Sequence, residues 1–138
     1  MSLGFQNAGV EILTAIDNWD KAVEIYNHNF NHQCYSHDLK NEEGALKIIN
    51  KLAPEMIIGG QPCQDFSSAG KRDESLGRAD LTHHFTNTIC SCKPKQFIME
   101  NVERIKKSYV LSKVIPQYEE AGYGLTAVIL DASYYKIN

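Results

Sequence analysis

Apolar positions recur along this chain with two periods that take turns. Val10-Glu11-Ile12-Leu13-Thr14-Ala15-Ile16 is a short β-prone run ending at Asp17. Ala22, Val23, Tyr26 and Phe30 then fall on one helical face, which predicts a helix over Asp20–Phe30. Gln33–Ser36 reads as a weak strand ending near Asp38. Asn41 is placed to cap a helix over Glu42–Leu52, whose apolar stripe is Ala45, Ile48, Ile49 and Leu52. Pro54 stops that helix, and Met56-Ile57-Ile58 reads as a strand buried on both faces.

The stretch from Gly59 to Arg72 is too rich in Gly, Ser and Pro for regular structure. Leu81, Phe85 and Ile89 stand four apart and predict a helix over Leu81–Cys92. Gln96–Met99 reads as a third buried strand, closed by Glu100-Asn101-Val102. Tyr109–Ala121 is a further helix with Gly122 beyond its end, and Leu125–Leu130 a last strand. Strand and helix alternating at this spacing predict an α/β fold, a parallel sheet with helices on both faces. Ligands of such sheets bind beyond the carboxyl ends of the strands. Asp17, Asp38, Cys63 and Glu100 all fall there.

Composition narrows the class without naming a function. The chain has 138 residues, 43% of them hydrophobic, which suits one domain. The longest apolar runs are far too short to span a bilayer, and Met1-Ser2-Leu3-Gly4-Phe5 carries no basic signal-peptide start. The expectation is a soluble, cytoplasmic chain with no membrane partner. The net charge of -3 does not advertise a polyanion partner, but its distribution is uneven. Residues 1–60 carry four basic against eight acidic side chains, and residues 61–113 carry nine against six. Any polyanion site is therefore expected on the middle third, around Lys71, Arg72 and Arg78.

Cys34, Cys63, Cys90 and Cys92 are too few and too irregular for a disulfide scaffold. Cys90 and Cys92 end a helix-like segment and read as reduced structural thiols. His28, His32, Cys34 and His37 have spacings that a zinc site could use, yet such spacings are common by chance. Capping and surface roles are the expectation, with no metal. Cys63 is placed differently. It follows Gly59-Gly60-Gln61-Pro62 at a strand's end, where proline fixes the backbone and glycines allow close approach of a ligand. The alternative is a semi-buried loop thiol. Glu100 closes an apolar strand before Asn101, a position that also suits a helix cap. A thiol and a carboxyl at adjacent strand ends suit addition to an electrophilic ring with acid assistance.

Gly60-Gln61-Pro62-Cys63-Gln64-Asp65-Phe66-Ser67-Ser68-Ala69-Gly70, then Arg78-Ala79-Asp80-Leu81, then Gln96-Phe97-Ile98-Met99-Glu100-Asn101-Val102 resembles the cytosine-C5 DNA methyltransferases in order and spacing. Ala15-Ile16-Asp17 followed by Ala22, Tyr26 and Asn29 is similar to that family's second cofactor segment, and His37-Asp38-Leu39 to its third. Leu130-Asp131-Ala132-Ser133-Tyr134-Tyr135 is similar to the strand before its glutamine–arginine segment. The resemblance implies a Rossmann-like, S-adenosylmethionine-dependent methyltransferase core with an incomplete sheet.

It also implies roles. Cys63 would add to C6 of a cytosine flipped out of double-stranded DNA, Glu100 would contact N3 of that base, and Asn101 would hold the Pro62–Cys63 loop. Asp17 would bind the ribose of the cofactor, Asn18 would lie against its adenine, and Asp38-Leu39 would line its amino group. Gly60, Pro62 and Leu81 would line the methionine side, while Gln64, Ser67, Ser68, Lys71 and Arg72 would face DNA. Extrusion of the base is required, because a stacked cytosine cannot be reached from both faces.

Three departures from the family pattern shape the expectation. The family's opening Asp-Leu-Phe-x-Gly-x-Gly-Gly segment is not seen before Leu3-Gly4-Phe5, and no arginine pair follows Ile137-Asn138. Asn18 stands where many members carry an apolar or aromatic residue. Residues 1–138 therefore read as a partial catalytic domain of a restriction-modification type enzyme, without a target-recognition domain and inactive in isolation. In a bacterium it would be nucleoid-associated, acting with a complementing chain or as a dimer. The alternative is a degenerate or split fragment that serves only as a DNA- or partner-binding module.

Overall fold

A computed structural model describes residues 1–62 and 80–135. The chain opens with α1 (Ser2–Asn7), β1 (Ala15–Asp17), α2 (Asp20–Asn29), β2 (Cys34–Ser36) and α3 (Glu42–Leu52). It continues with β3 (Met56–Gly60), α4 (Asp80–Cys92), β4 (Gln96–Glu100) and α5 (Tyr109–Glu120). Short 3-10 turns lie at Glu103–Lys107 and Ala132–Tyr135. No helix among the described residues is long and apolar enough to cross a membrane.

Local chemistry sets the helix ends. The Asn41 side chain accepts a hydrogen bond from the Gly44 amide at 3.2 Å, the cap that its position predicts for α3. At the other end Ala53 takes a left-handed φ of 45°, because the following Pro54 disfavours continued helix. Ser108 caps α5 by accepting from the Leu111 amide at 3.2 Å.

The strands form two parallel pairs. In the first, Ala15 faces Cys34 and Asp17 faces Ser36; in the second, Met56 faces Gln96 and Gly60 faces Glu100. Among the described residues the expected single sheet is thus present as two pairs not hydrogen-bonded to each other. The hydrophobic core lies against the second pair. Phe85 and Ile89 of α4, Val110, Val114 and Tyr118 of α5, and Ile105 are buried together. Ile57, Phe97 and Met99 pack onto them from the strands. Phe97 stacks on Tyr118 with ring centroids 4.4 Å apart, and Tyr118 meets the Thr86 hydroxyl at 2.9 Å.

Four sequence expectations change. The β-prone run Val10–Ile16 pairs only at Ala15–Asp17, since β2 offers three residues to pair with. β3 is half-buried, not buried on both faces. β4 alternates instead of being buried throughout: Phe97 and Met99 face the helices, while Ile98 and Glu100 point to the open side. Leu125–Leu130 forms no strand, and Leu130 is 72% exposed. A strand exists only by sharing its N–H and C=O groups with a neighbour, and among the described residues none pairs with this run. α1 and the turn at Glu103–Lys107 are elements that the periodicity does not indicate.

Candidate active site at the strand ends

At the carboxyl end of β1, the Asp17 carboxylate accepts from the Trp19 amide at 2.8 Å, a local turn that starts α2. The His37 amide donates to the Asp17 carbonyl at 2.9 Å, which keeps the end of β2 beside it. Asp38 makes a similar turn, its carboxylate accepting from the Lys40 amide at 2.9 Å. Asp17, Asn18 and Asp38 are exposed on neighbouring strand ends, while half-buried Leu39 packs against the α4–α5 core.

The second group is tighter. Gly60 and Glu100 are register partners, and the Glu100 carboxylate lies 3.6 Å from where a Cβ on Gly60 would stand. The Met1 Cε would be 2.9 Å from the same point, a contact that the flexible methionine side chain can relieve. Asn101 donates from its side-chain amide to the Gln61 carbonyl at 3.3 Å and accepts from the Val102 amide at 2.9 Å. It thereby ties the end of β4 to the residue before Pro62, which is exposed. Leu81 is half-buried in the first turn of α4. Cys63, Gln64, Ser67, Ser68, Lys71, Arg72 and Arg78 lie outside the described residues.

Gln61 is buried, and among the described residues neither atom of its carboxamide has a hydrogen-bond partner. Its Nε2 and the Phe85 ring both crowd the point where a Gly59 Cβ would stand, with Nε2 at 2.6 Å from it. Gln61 therefore folds back over Gly59 toward α4, while its backbone is held by Asn101.

The other cysteines are placed as structural thiols. Burial pushes Cys34, Cys90 and Cys92 above the usual thiol range, helped at Cys34 by the Asp17 charge. Only thiolates attack efficiently, so this environment disfavours nucleophilic work. His32 meets the Tyr26 hydroxyl at 2.7 Å, His37 the Asn41 carbonyl at 2.9 Å, and the Cys34 amide donates to Asn27 at 2.6 Å.

Two features escape sequence reasoning. Trp19, 63% exposed, follows Asp17 by two residues at the N-cap of α2; the chain's single tryptophan at a strand's carboxyl end is the signal that could have marked it. Arg104, Lys106 and Lys107 are exposed just beyond Glu100 and Asn101, where the run of basic residues in the sequence is the clue.

Parallel strands between helices, with acidic and small residues gathered at their carboxyl ends, define a Rossmann-like α/β fold. A crystal structure of a Spodoptera frugiperda DNMT2 mutant superposes on 87% of this chain and 37% of its own, with a TM-score of 0.66 at 24% identity. The family model for C-5 cytosine-specific DNA methylases matches residues 1–138. The type II methyltransferase M.HindV of Haemophilus influenzae is 60% identical over 134 residues, 97% of this chain and 44% of that relative. M.HgiGI of Herpetosiphon aurantiacus is 52% identical over 110 residues, 80% of this chain and 87% of that relative. The chain belongs to the C-5 cytosine-specific DNA methylase family. It spans less than half the length of M.HindV (44%) and of M.HgiDI (43%).

Proposed function

We propose that residues 1–138 are part of the catalytic domain of a restriction-modification type DNA cytosine-C5 methyltransferase that uses S-adenosylmethionine and a Cys63 adduct. The observation that carries this reading is the pairing of Gly60 with Glu100, reinforced by the Asn101 bond to the Gln61 carbonyl. These contacts set the backbone leading into Pro62-Cys63 beside the Glu100 carboxylate.

The residues fit the cofactor. Exposed Asp17 has a carboxylate oxygen to offer ribose hydroxyls, Trp19 offers a flat apolar face to a purine, and Asp38 an acceptor for an amino group. Gly60 leaves the backbone open to close approach. Trp19 takes the stacking role that the sequence alone gives to Asn18. S-adenosylmethionine supplies an electrophilic methyl group when bound.

The chain's own groups do the rest. The Cys63 thiolate forms a bond to C6 of the flipped cytosine, and its electron pair moves the ring density to C5. Glu100, hydrogen-bonded at N3, offsets the negative charge that develops there. Once C5 carries the methyl group, with S-adenosylhomocysteine as the leaving group, loss of the C5 proton to solvent would let the C6–S bond break. The thiolate returns and 5-methylcytosine is released.

DNA carrying 5-fluorocytosine should trap the protein that contains this chain, because fluorine blocks the final proton loss. Peptide mass spectrometry should place the adduct on Cys63, and Cys63→Ser should abolish it. Glu100→Gln should slow turnover by about 100-fold or more with little change in DNA affinity. An adduct on Cys34, Cys90 or Cys92, or full turnover in Cys63→Ser, would sink the mechanism.

One observation favours the second reading, a partner-binding fragment. Val128 (67%) and Tyr134 (82%), like Leu130, are exposed in the last described stretch. Sedimentation at increasing concentration tests it, since an association surface predicts a rising mass.

A further inference from the structure

We propose that the turn Glu103–Lys107 is a docking surface for the phosphate backbone of duplex DNA, with Arg104, Lys106 and Lys107 as its contacts. The identity of the partner rests on the DNA-methyltransferase reading above. The surface itself rests on how the turn is built.

Ile105 is its one buried residue, 7% exposed, and sits in the core with Phe85, Ile89 and Val110. The Ile105 amide donates to the Val102 carbonyl at 3.0 Å. The Ser108 amide and hydroxyl both donate to the Ile105 carbonyl, at 2.9 and 2.7 Å. The turn is therefore pinned at its centre and at both ends, between the Asn101 staple and the cap of α5. Pinning matters because a cation on a fixed backbone loses less conformational freedom when it binds than one on a loose loop.

The pinned segment points its cations outward. Arg104, Lys106 and Lys107 are exposed, and among the described residues none of them joins an ion pair. This contrasts with Lys47, paired to Glu43 at 2.7 Å, and with Lys95, paired to Glu55. Three unneutralised positive charges against Glu103 leave the turn with a net positive field. It begins three residues after Glu100, at the strand end where the base-facing carboxylate stands. A duplex whose extruded cytosine reaches Glu100 would bring its sugar–phosphate backbone to the same end of the sheet. A small acidic peptide would meet the same charges, but the neighbouring Glu100 and Asn101 have no complement in it.

The test measures binding of a short fluorescent duplex to the protein containing this chain, without S-adenosylmethionine, from 50 to 200 mM salt. Each phosphate contact contributes about 0.9 to the slope of log affinity against log salt. Over this fourfold salt range, wild type should lose about 40-fold more affinity than the Arg104→Gln/Lys106→Gln/Lys107→Gln triple variant if all three residues touch phosphate, and about 3-fold more if one does. The loss should be equal for duplexes with and without cytosine, since phosphate contacts carry no sequence. Lys113→Gln, which removes an exposed cation from α5, should leave the slope unchanged. An unchanged slope in the triple variant overturns the proposal. So does a loss confined to one sequence, or tighter binding of single-stranded RNA through the same three residues. If the slope behaves as expected while a separate assay with S-adenosylmethionine added gives no methyl transfer, the docking surface stands and the enzymatic reading falls.

Discussion

The two strand pairs of this molecule use the same parts and are held in different ways. β3 and β4 lie against α4 and α5, whose Ile89 and Val114 are wholly buried in a continuous apolar cluster. β1 and β2 lie beside α2, which buries no residue fully; of the pair itself only Cys34 is buried. What secures β1 and β2 is polar. Asn27 clasps Cys34 from both sides, accepting from its amide at 2.6 Å and donating to its carbonyl at 3.1 Å. The Thr14 hydroxyl donates to the Gln33 carbonyl at 2.7 Å, and the Ser36 hydroxyl donates to Asp20. Apolar burial contributes far more per residue than exposed hydrogen bonds do. The strand ends proposed to be catalytic therefore stand on the rigid half, and the proposed cofactor carboxylates on the softer one.

The sharpest way to break this comparison is to remove an apolar side chain from each half. Ile89→Ala should cost about 3 to 4 kcal/mol, because it leaves a cavity in a packed core. Val23→Ala on half-buried α2 should cost under about 1 kcal/mol. Urea denaturation of both variants checks the difference, and equal losses would erase the distinction.

Alkaline titration probes the rigid half alone. Burial raises Tyr118 to about 12, the Thr86 hydrogen bond opposing it in part. The folded state thus keeps its proton above the ordinary tyrosine value of 10.0. That stabilisation is complete below pH 10 and is lost as the pH rises toward 12. The loss is on the order of 2 kcal/mol, and Tyr118→Phe should flatten it. Denaturation midpoints across this range give the measurement.

On the softer side, Asn27→Ala should cost about 1 to 2 kcal/mol, since it orphans two backbone groups of Cys34. The effect should appear as faster hydrogen exchange in β1 and β2, with β3 and β4 unchanged. Spread of that change into β4 would mean the two halves open as one unit. The smallest expected effect is a gain. Gln61→Leu removes two buried amide atoms that have no partner among the described residues, and should stabilise the protein by about 1 kcal/mol. A loss of stability would show that the Gln61 amide is satisfied in solution.

The helices were legible because their information is local. Asn41 before Glu42, Pro54 after Leu52, and the stripe Leu81, Phe85 and Ile89 place α3 and α4 within a residue or two, since a 3.6-residue period and a cap depend only on near neighbours. The order of Pro62-Cys63 and Glu100-Asn101 likewise located the candidate chemistry before any geometry was known. Strand pairing is different in kind. Whether Val10–Ile16 or Leu125–Leu130 becomes a strand depends on a partner edge far along the chain, and apolar runs look alike with or without one. The bond from Asn101 to Gln61, the exposure of Trp19 beside Asp17, and the outward display of Arg104, Lys106 and Lys107 around buried Ile105 are likewise tertiary facts. Each depends on which residues the fold brings within a few ångströms, and a linear pattern holds no distances.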